Sequence, residues 1–184
     1  MNEFYAYGND HAELEAVMRL HAVKRWHMID TTRAQTLAEH SANVAVLAFH
    51  IAHTAPGMFF GPAENVAAYA LMHDMAEVFT GDFPSHSKKH LFGVRDLEEK
   101  VLPRSFVIDP SPETKLMVKL CDLADGIRFI RLHGVDVTSR HAKEGLQRQL
   151  EARKTEAGDS GRGWPREVYE KVSYAVQFYA YEFS

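Results

Sequence analysis

His73 and Asp74 stand side by side, Glu77 follows one helical turn later, and Asp82 lies just beyond Gly81. The residues leading into this cluster, Val66 to Met72, have the character of the buried part of a helix. A hydrophobic helix that ends in carboxylates buries charge at a cost on the order of several kcal/mol per ion unless a positive group neutralises it. A divalent cation is the simplest such group. On a helix His73 and Glu77 are i and i+4, and Asp74 and Glu77 are i and i+3, so the three project toward one region.

Two further residues have the same character. His40 falls on the inward stripe formed by Leu37, Val44, Leu47 and Ile51, so it faces a core. Asp122 lies inside a helix whose apolar stripe is Leu116, Leu120, Leu123 and Ile127. Taken singly, an inward histidine is usually a hydrogen-bonded core residue, and a mid-helix aspartate can bond a neighbouring backbone group. Together, His40, His73, Asp74 and Asp122 form an N2O2 ligand set that suits Mn, Co, Zn or Fe better than Ca or Mg alone.

These residues must be positioned by helices. Apolar residues at helical spacing (Leu14, Val17, Met18, Val23, Trp26) predict a first helix over residues 11–29, with Asn9 and Asp10 as caps. Thr36-Leu37-Ala38-Glu39 has the form of a capping box and opens a second helix over about 37–53. Gly61-Pro62 opens a third, and Gly81 is placed to end it in a left-handed cap. Residues 83–92 read as a long loop, and a short helix over 94–102 is stopped by Pro103. Ser111-Pro112-Glu113 starts a long helix that ends before Gly134, and two more helices cover about 138–156 and 165–182. No stretch has convincing period-two alternation. The class expected is all-α, with six or seven helices.

At 184 residues the chain is expected to form a single domain over 1–184. A net charge of −4 argues against a general binder of nucleic-acid polymers. Cys121 is the only cysteine, which excludes an intramolecular disulfide and a Cys-rich zinc module and fits a cytoplasmic protein. The longest apolar stretch, residues 42–52, is too short to span a membrane. The aromatic helix at 165–182 reads equally as core or as an interface between copies.

Separated His40, the His73-Asp74 doublet and the later Asp122 resemble the H…HD…D pattern of the HD-domain metal-dependent phosphohydrolases. More specific matches surround it: Arg25-Trp26, Ala38-Glu39-His40-Ser41, His73-Asp74-x-x-Glu77, and Thr80-Gly81-Asp82-x-Pro84. Together they are similar to the 5′-deoxynucleotidase branch and its phage relatives that hydrolyse dATP to deoxyadenosine and triphosphate. The resemblance covers roughly residues 19–132 and implies a compact HD-domain helical bundle.

It further implies that His40, His73, Asp74 and Asp122 bind a divalent cation, with Co, Mn, Zn and Mg the candidates. Such a cation acidifies a bound water, polarises a phosphoryl oxygen and orients the ester. The resemblance makes Glu77 the group that positions or deprotonates the attacking water, Arg25 the phosphate clamp, Trp26 the aromatic against sugar and base, and Asp82 the contact to the sugar 3′-hydroxyl. It also implies homo-oligomers. After Pro84 the sequence departs from the monophosphatase pattern, and Lys88 and Lys89 in Ser85-His86-Ser87-Lys88-Lys89-His90 are candidates to hold the β and γ phosphates of a triphosphate. A metal-dependent phosphodiesterase on a cyclic or oligomeric nucleotide, or a non-catalytic nucleotide sensor, is the alternative.

Overall fold

The computed structural model describes residues 14, 15, 17–83, 92–159 and 163–183. Lys88 and Lys89 lie outside the described residues. The elements are a short 3-10 turn at Met18–His21, strands β1 (Lys24–Arg25) and β2 (Gln35–Thr36), and helices α1 (Leu37–Thr54), α2 (Ala63–Met72), α3 (Glu77–Thr80), α4 (Val94–Val101), α5 (Pro112–His133), α6 (Val137–Gly158) and α7 (Arg166–Tyr181). The fold is an all-α bundle.

Caps encoded locally set the helix starts. The Thr36 side chain accepts from the Glu39 amide and Ser111 from the Thr114 amide, each satisfying a donor left open in the first turn. At α6 a reciprocal box forms between Asp136 and Ser139. The stripe read on α1 is buried throughout: Leu37, His40 and Val44 are fully inaccessible, and Leu47 and Ile51 join the core. α5 is the central element, contacting α1, α2, α6 and α7, and it buries an unbroken run from Leu120 to Ile127. Val168, Val172, Val176 and Ala180 of α7 close the core on one side. Tyr174 and Phe178 of the same helix are exposed, while Tyr169, Tyr179 and Tyr181 are partly buried against the core.

Three expectations need correction. The first helix does not continue to residue 29. After the 3-10 turn the chain becomes a two-stranded antiparallel ribbon, with Lys24 opposite Thr36 and Arg25 opposite Gln35. Leu14 and Met18 are exposed and only Val17 of that stripe is buried. Trp26 takes a positive φ of 61°, a conformation that ends any helix. The Leu37 amide extends the ribbon's pairing by donating to Val23 O at 2.9 Å, and the segment is tied to a distant part of the chain through Thr32 N to His133 O at 2.8 Å and Val135 N to Asp30 O at 3.2 Å.

The third helix is also interrupted. α2 ends at Met72, residues 73–76 form turns, and α3 resumes at Glu77, with Met75 N donating to Met72 O at 3.0 Å and Glu77 N to Asp74 O at 3.0 Å. Gly81 does end α3, but at φ 80°, ψ 161°, an extended conformation with positive φ rather than a left-handed helical cap.

Candidate metal centre and phosphate-facing pocket

The break between α2 and α3 holds His73 and Asp74 in one turn, so the two side chains need not follow helical spacing. His73 Nε2 lies 3.2 Å from Asp74 Oδ2. α1 brings His40 to the same place, its Nε2 3.7 Å from Asp74 Oδ2 and 3.2 Å from Asp122 Oδ1 on α5. One donor atom from each of His40, His73, Asp74 and Asp122 falls within 4.8 Å of the others. The two imidazoles face each other with ring centroids 5.5 Å apart.

Hydrogen bonds on the far side of each ring decide which nitrogen is turned inward. His40 Nδ1 is 2.6 Å from Asp125 Oδ2, and His73 Nδ1 is 2.6 Å from the Ala70 carbonyl oxygen. A carboxylate and a carbonyl only accept, so Nδ1 carries the proton in both rings. Each Nε2 is buried, and neither has a hydrogen-bond partner among the described residues. A lone pair set against carboxylate oxygens is unfavourable unless a proton or a cation lies between them. The donor set therefore fits a divalent ion of the N- and O-binding type.

The charges point the same way. Burial disfavours the His73 imidazolium, yet the negative charge of Asp74 outweighs it and raises the imidazole to about 9. Burial pushes Asp74 up, but His73 more than offsets this and its carboxyl is held low. Asp122 behaves alike: burial raises it, and Lys119, His40 and Arg25 bring it well below the usual range.

Arg25 projects from β1 with its side chain 10% exposed, Nη2 3.6 Å from Asp122 Oδ1. Its Nε and Nη1 are buried and have no hydrogen-bond partner among the described residues. Burial works against the charge, but Asp122, Asp74, Asp82 and Glu77 raise the guanidinium above its ordinary range. Two unused donors beside the carboxylate cluster can take phosphate oxygens. Glu77 is 3% exposed and belongs to this same electrostatic group. Asp82 is half-buried and contributes to the field at Arg25.

Trp26 is neither simple core nor a free surface ring. Its indole N–H donates to Gln35 Oε1 at 2.8 Å, its ring stacks on Phe129 at 6.5 Å with 9° between planes, and Arg25 lies 5.3 Å over it. Gly126 of α5 gives it room: a Cβ there would come 3.2 Å from Trp26 Cζ2.

The residues that sequence reading missed are Lys119, Asp125, Gln35, Asn43 and Tyr179. Lys119 forms an i,i+3 ion pair with Asp122, and its side chain is 45% exposed beside the ligand cluster. Asp125 is buried and accepts from Gln35, His40, Asn43 and Tyr179. A signal for Asp125 was present, since it stands three residues after Asp122 on the same apolar helix. Glu39, part of the matching motif, pairs with Arg33 through two hydrogen bonds of 2.8 and 2.6 Å, which stiffens the ribbon.

Residues 14–102 match the family described as 5′-deoxynucleotidase YfbR-like. A dATP triphosphohydrolase of Salmonella phage PMBT28 is 30% identical over 144 residues, covering 73% of this chain and 74% of that protein. The chain belongs to the HD-domain phosphohydrolases. Its place among these HD phosphohydrolases is the 5′-deoxynucleotidase branch that includes the phage triphosphohydrolases. A second relative, a dATP triphosphohydrolase of cyanophage S-2L, is 28% identical over 142 residues, 74% of this chain and 79% of that one. The fold matches the cyanophage S-2L HD phosphohydrolase solved with dA and one catalytic Zn2+ ion, with a TM-score of 0.75 and 24% identity over 91% of this HD phosphohydrolase and 96% of that chain. Among the described residues, no helix is long and apolar enough to cross a membrane.

Proposed function

We propose that this HD phosphohydrolase cleaves the 5′-phosphate ester of 2′-deoxynucleotides, deoxyadenosine nucleotides foremost, with a divalent cation held by His40, His73, Asp74 and Asp122. The observation that carries the reading is the pair of buried Nε2 atoms, each lacking a donor and set against carboxylate oxygens. The phage relatives named for dATP hydrolysis support deoxyadenosine as the nucleoside. When bound, the cation acidifies a water and polarises a phosphoryl oxygen.

This chain's own residues supply the rest. Glu77 takes the proton of the attacking water and orients its oxygen toward phosphorus, and the departing O5′ takes a proton from solvent. Arg25 binds two non-bridging oxygens through Nε and Nη1 and stabilises charge as the P–O5′ bond breaks. Lys119 adds a second cation on the opposite edge of Asp122. Trp26 packs against the sugar and base, and Asp82 accepts from the 3′-hydroxyl. Lys88 and Lys89 are assigned to the outer phosphates of a triphosphate.

The test is to incubate the purified protein with Co2+, Mn2+, Zn2+ or Mg2+ and each dNMP, rNMP, dNTP and rNTP, and to separate the products. Deoxyadenosine with triphosphate from dATP, or with phosphate from dAMP, supports the proposal and selects the substrate. Release from ribonucleotides at equal rates would contradict it.

A further inference from the structure

We infer that Asp125 is a positioning residue for two parts of the site at once: it holds His40 with Nε2 turned to the ligand cluster, and through Gln35 it holds Trp26. The Asp125 carboxylate is 1% exposed. Its Oδ2 accepts from His40 Nδ1 at 2.6 Å and from Gln35 Nε2 at 2.8 Å, while Oδ1 accepts from Tyr179 Oη at 2.9 Å and Asn43 Nδ2 at 3.0 Å. Four donors on two oxygens use most of an ionised carboxylate's capacity.

The consequence for His40 is a fixed tautomer. With the proton held on Nδ1, Nε2 keeps its lone pair for the cluster, which raises ligand basicity as well as fixing the ring plane. The consequence for Gln35 is a fixed amide. Only the NH2 group can face Asp125, so Oε1 must face away, and it accepts from Trp26 Nε1 at 2.8 Å. Gln35 is itself 1% exposed, so water does not compete for either end. Trp26 needs such a restraint, because a non-glycine residue at φ 61° occupies a sparsely populated region. One carboxylate thus sets the direction of a ligand nitrogen and of an aromatic ring on different elements.

An asparagine at 125 has a single acceptor oxygen. If its NH2 faces His40, the imidazole must accept at Nδ1 and carry its proton on Nε2; if its oxygen faces His40, the charge that strengthens the ring is gone. Both weaken the ligand.

The inference rests on the proposed metal site and substrate class, and the experiment separates the two. Co2+ affinity and the visible spectrum of the Co2+-loaded protein are measured without nucleotide for wild type, Asp125→Asn, Gln35→Leu and Tyr179→Phe. KM and kcat follow with the nucleotide that wild type turns over best. Asp125→Asn is expected to weaken Co2+ binding by about tenfold to a hundredfold and to shift the spectrum. Gln35→Leu is expected to keep affinity and spectrum while KM rises and kcat holds. Tyr179→Phe removes a hydrogen bond to the same carboxylate and lowers the melting temperature, leaving the Co2+ spectrum as in wild type.

Wild-type Co2+ affinity and spectrum in Asp125→Asn would overturn the inference. So would a spectral change in Tyr179→Phe equal to that of Asp125→Asn, since the effect would then be structural, and so would an unchanged KM in Gln35→Leu. If wild type binds Co2+ but turns over no nucleotide, the proposed substrate class fails, and the Co2+ comparison still decides the role of Asp125 at His40.

Discussion

Nε2 of His40 lies 3.2 Å from Oδ1 of Asp122, with the ring's own proton on the far nitrogen, 2.6 Å from Asp125. Two acceptors at that distance repel unless something positive lies between them. In one helical bundle, α1 and α5 thus converge on a position that could hold a cation, with Asp74 and His73 delivered by the turn between α2 and α3.

Removing a proposed ligand and removing the proposed base should have different signatures. Asp74→Ala is expected to abolish both metal binding and turnover. Glu77→Ala is expected to keep the metal and to lower kcat by about 10²- to 10⁴-fold, the usual contribution of a positioned acid-base group. Equilibrium dialysis with Co2+ and a phosphate-release assay on the same preparations check both, and retained turnover in Glu77→Ala would remove Glu77 from its assignment.

The metal-free protein is expected to lose stability as the pH rises. His73 is raised in the folded state from 6.5 to about 9, so folding binds its proton more tightly than the unfolded chain does. That contribution is complete below pH 6.5 and disappears as the pH passes through about 9. The carboxylate of Asp74 is shifted downward, so its contribution is present above 3.8 and is lost on acidification. Melting temperatures of the metal-free protein should therefore fall between pH 6.5 and 9. Metal binding displaces the same proton, so Co2+ affinity should rise over that window by about tenfold per pH unit.

Arg25→Lys tests the clamp. A lysine retains the charge but cannot offer two coplanar donors, so kcat/KM should drop by about tenfold or more while the metal stays bound. Lys119→Ala should raise KM more for a triphosphate than for a monophosphate. It also removes a charge from Asp122 that helps hold that carboxyl low, so Co2+ binding should become more sensitive to acid, as seen in a pH titration of affinity.

Gly81→Ala probes the backbone that carries Asp82. At φ 80°, ψ 161° an alanine is strained even though its Cβ meets nothing within 4 Å. The cost should be about 1–3 kcal/mol, read as a lower melting temperature, with a rise in KM if the strain relaxes by moving Asp82.

Helices with a clear stripe and a cap were legible in the sequence: Thr36 and Ser111 cap α1 and α5, although the Glu39 side chain turns to Arg33 instead of closing the capping box, and His40 and Asp122 face inward as their neighbours require. The ribbon was not. Val23 and Trp26 fit a helical period, but their structure is set by partners on the other arm of the ribbon, Leu37 for Val23 and Gln35 for Trp26, outside the span of a helical period. The break at 73–76 was missed because each of its residues tolerates a helix and His73 and Ala76 themselves keep helical backbone angles, so no local signal marks it. Asp125 is as conspicuous as Asp122, yet a set of four ligands is complete without it, and its value shows only once Gln35, Asn43 and Tyr179 are seen around it.

The Tyr179 hydroxyl reaches Asp125 across 54 positions in sequence, and Gln35 reaches it across 90. During synthesis the histidines and carboxylates leave the ribosome well before α7 does. Until that helix docks, the Asp125 carboxylate lacks one of its four donors and the core beside it stays open. A nascent chain arrested before residue 166 should therefore bind metal poorly although all four proposed ligands have been translated, because Val168, Val172, Val176 and Ala180 are missing from the core and not because the Tyr179 hydroxyl is absent.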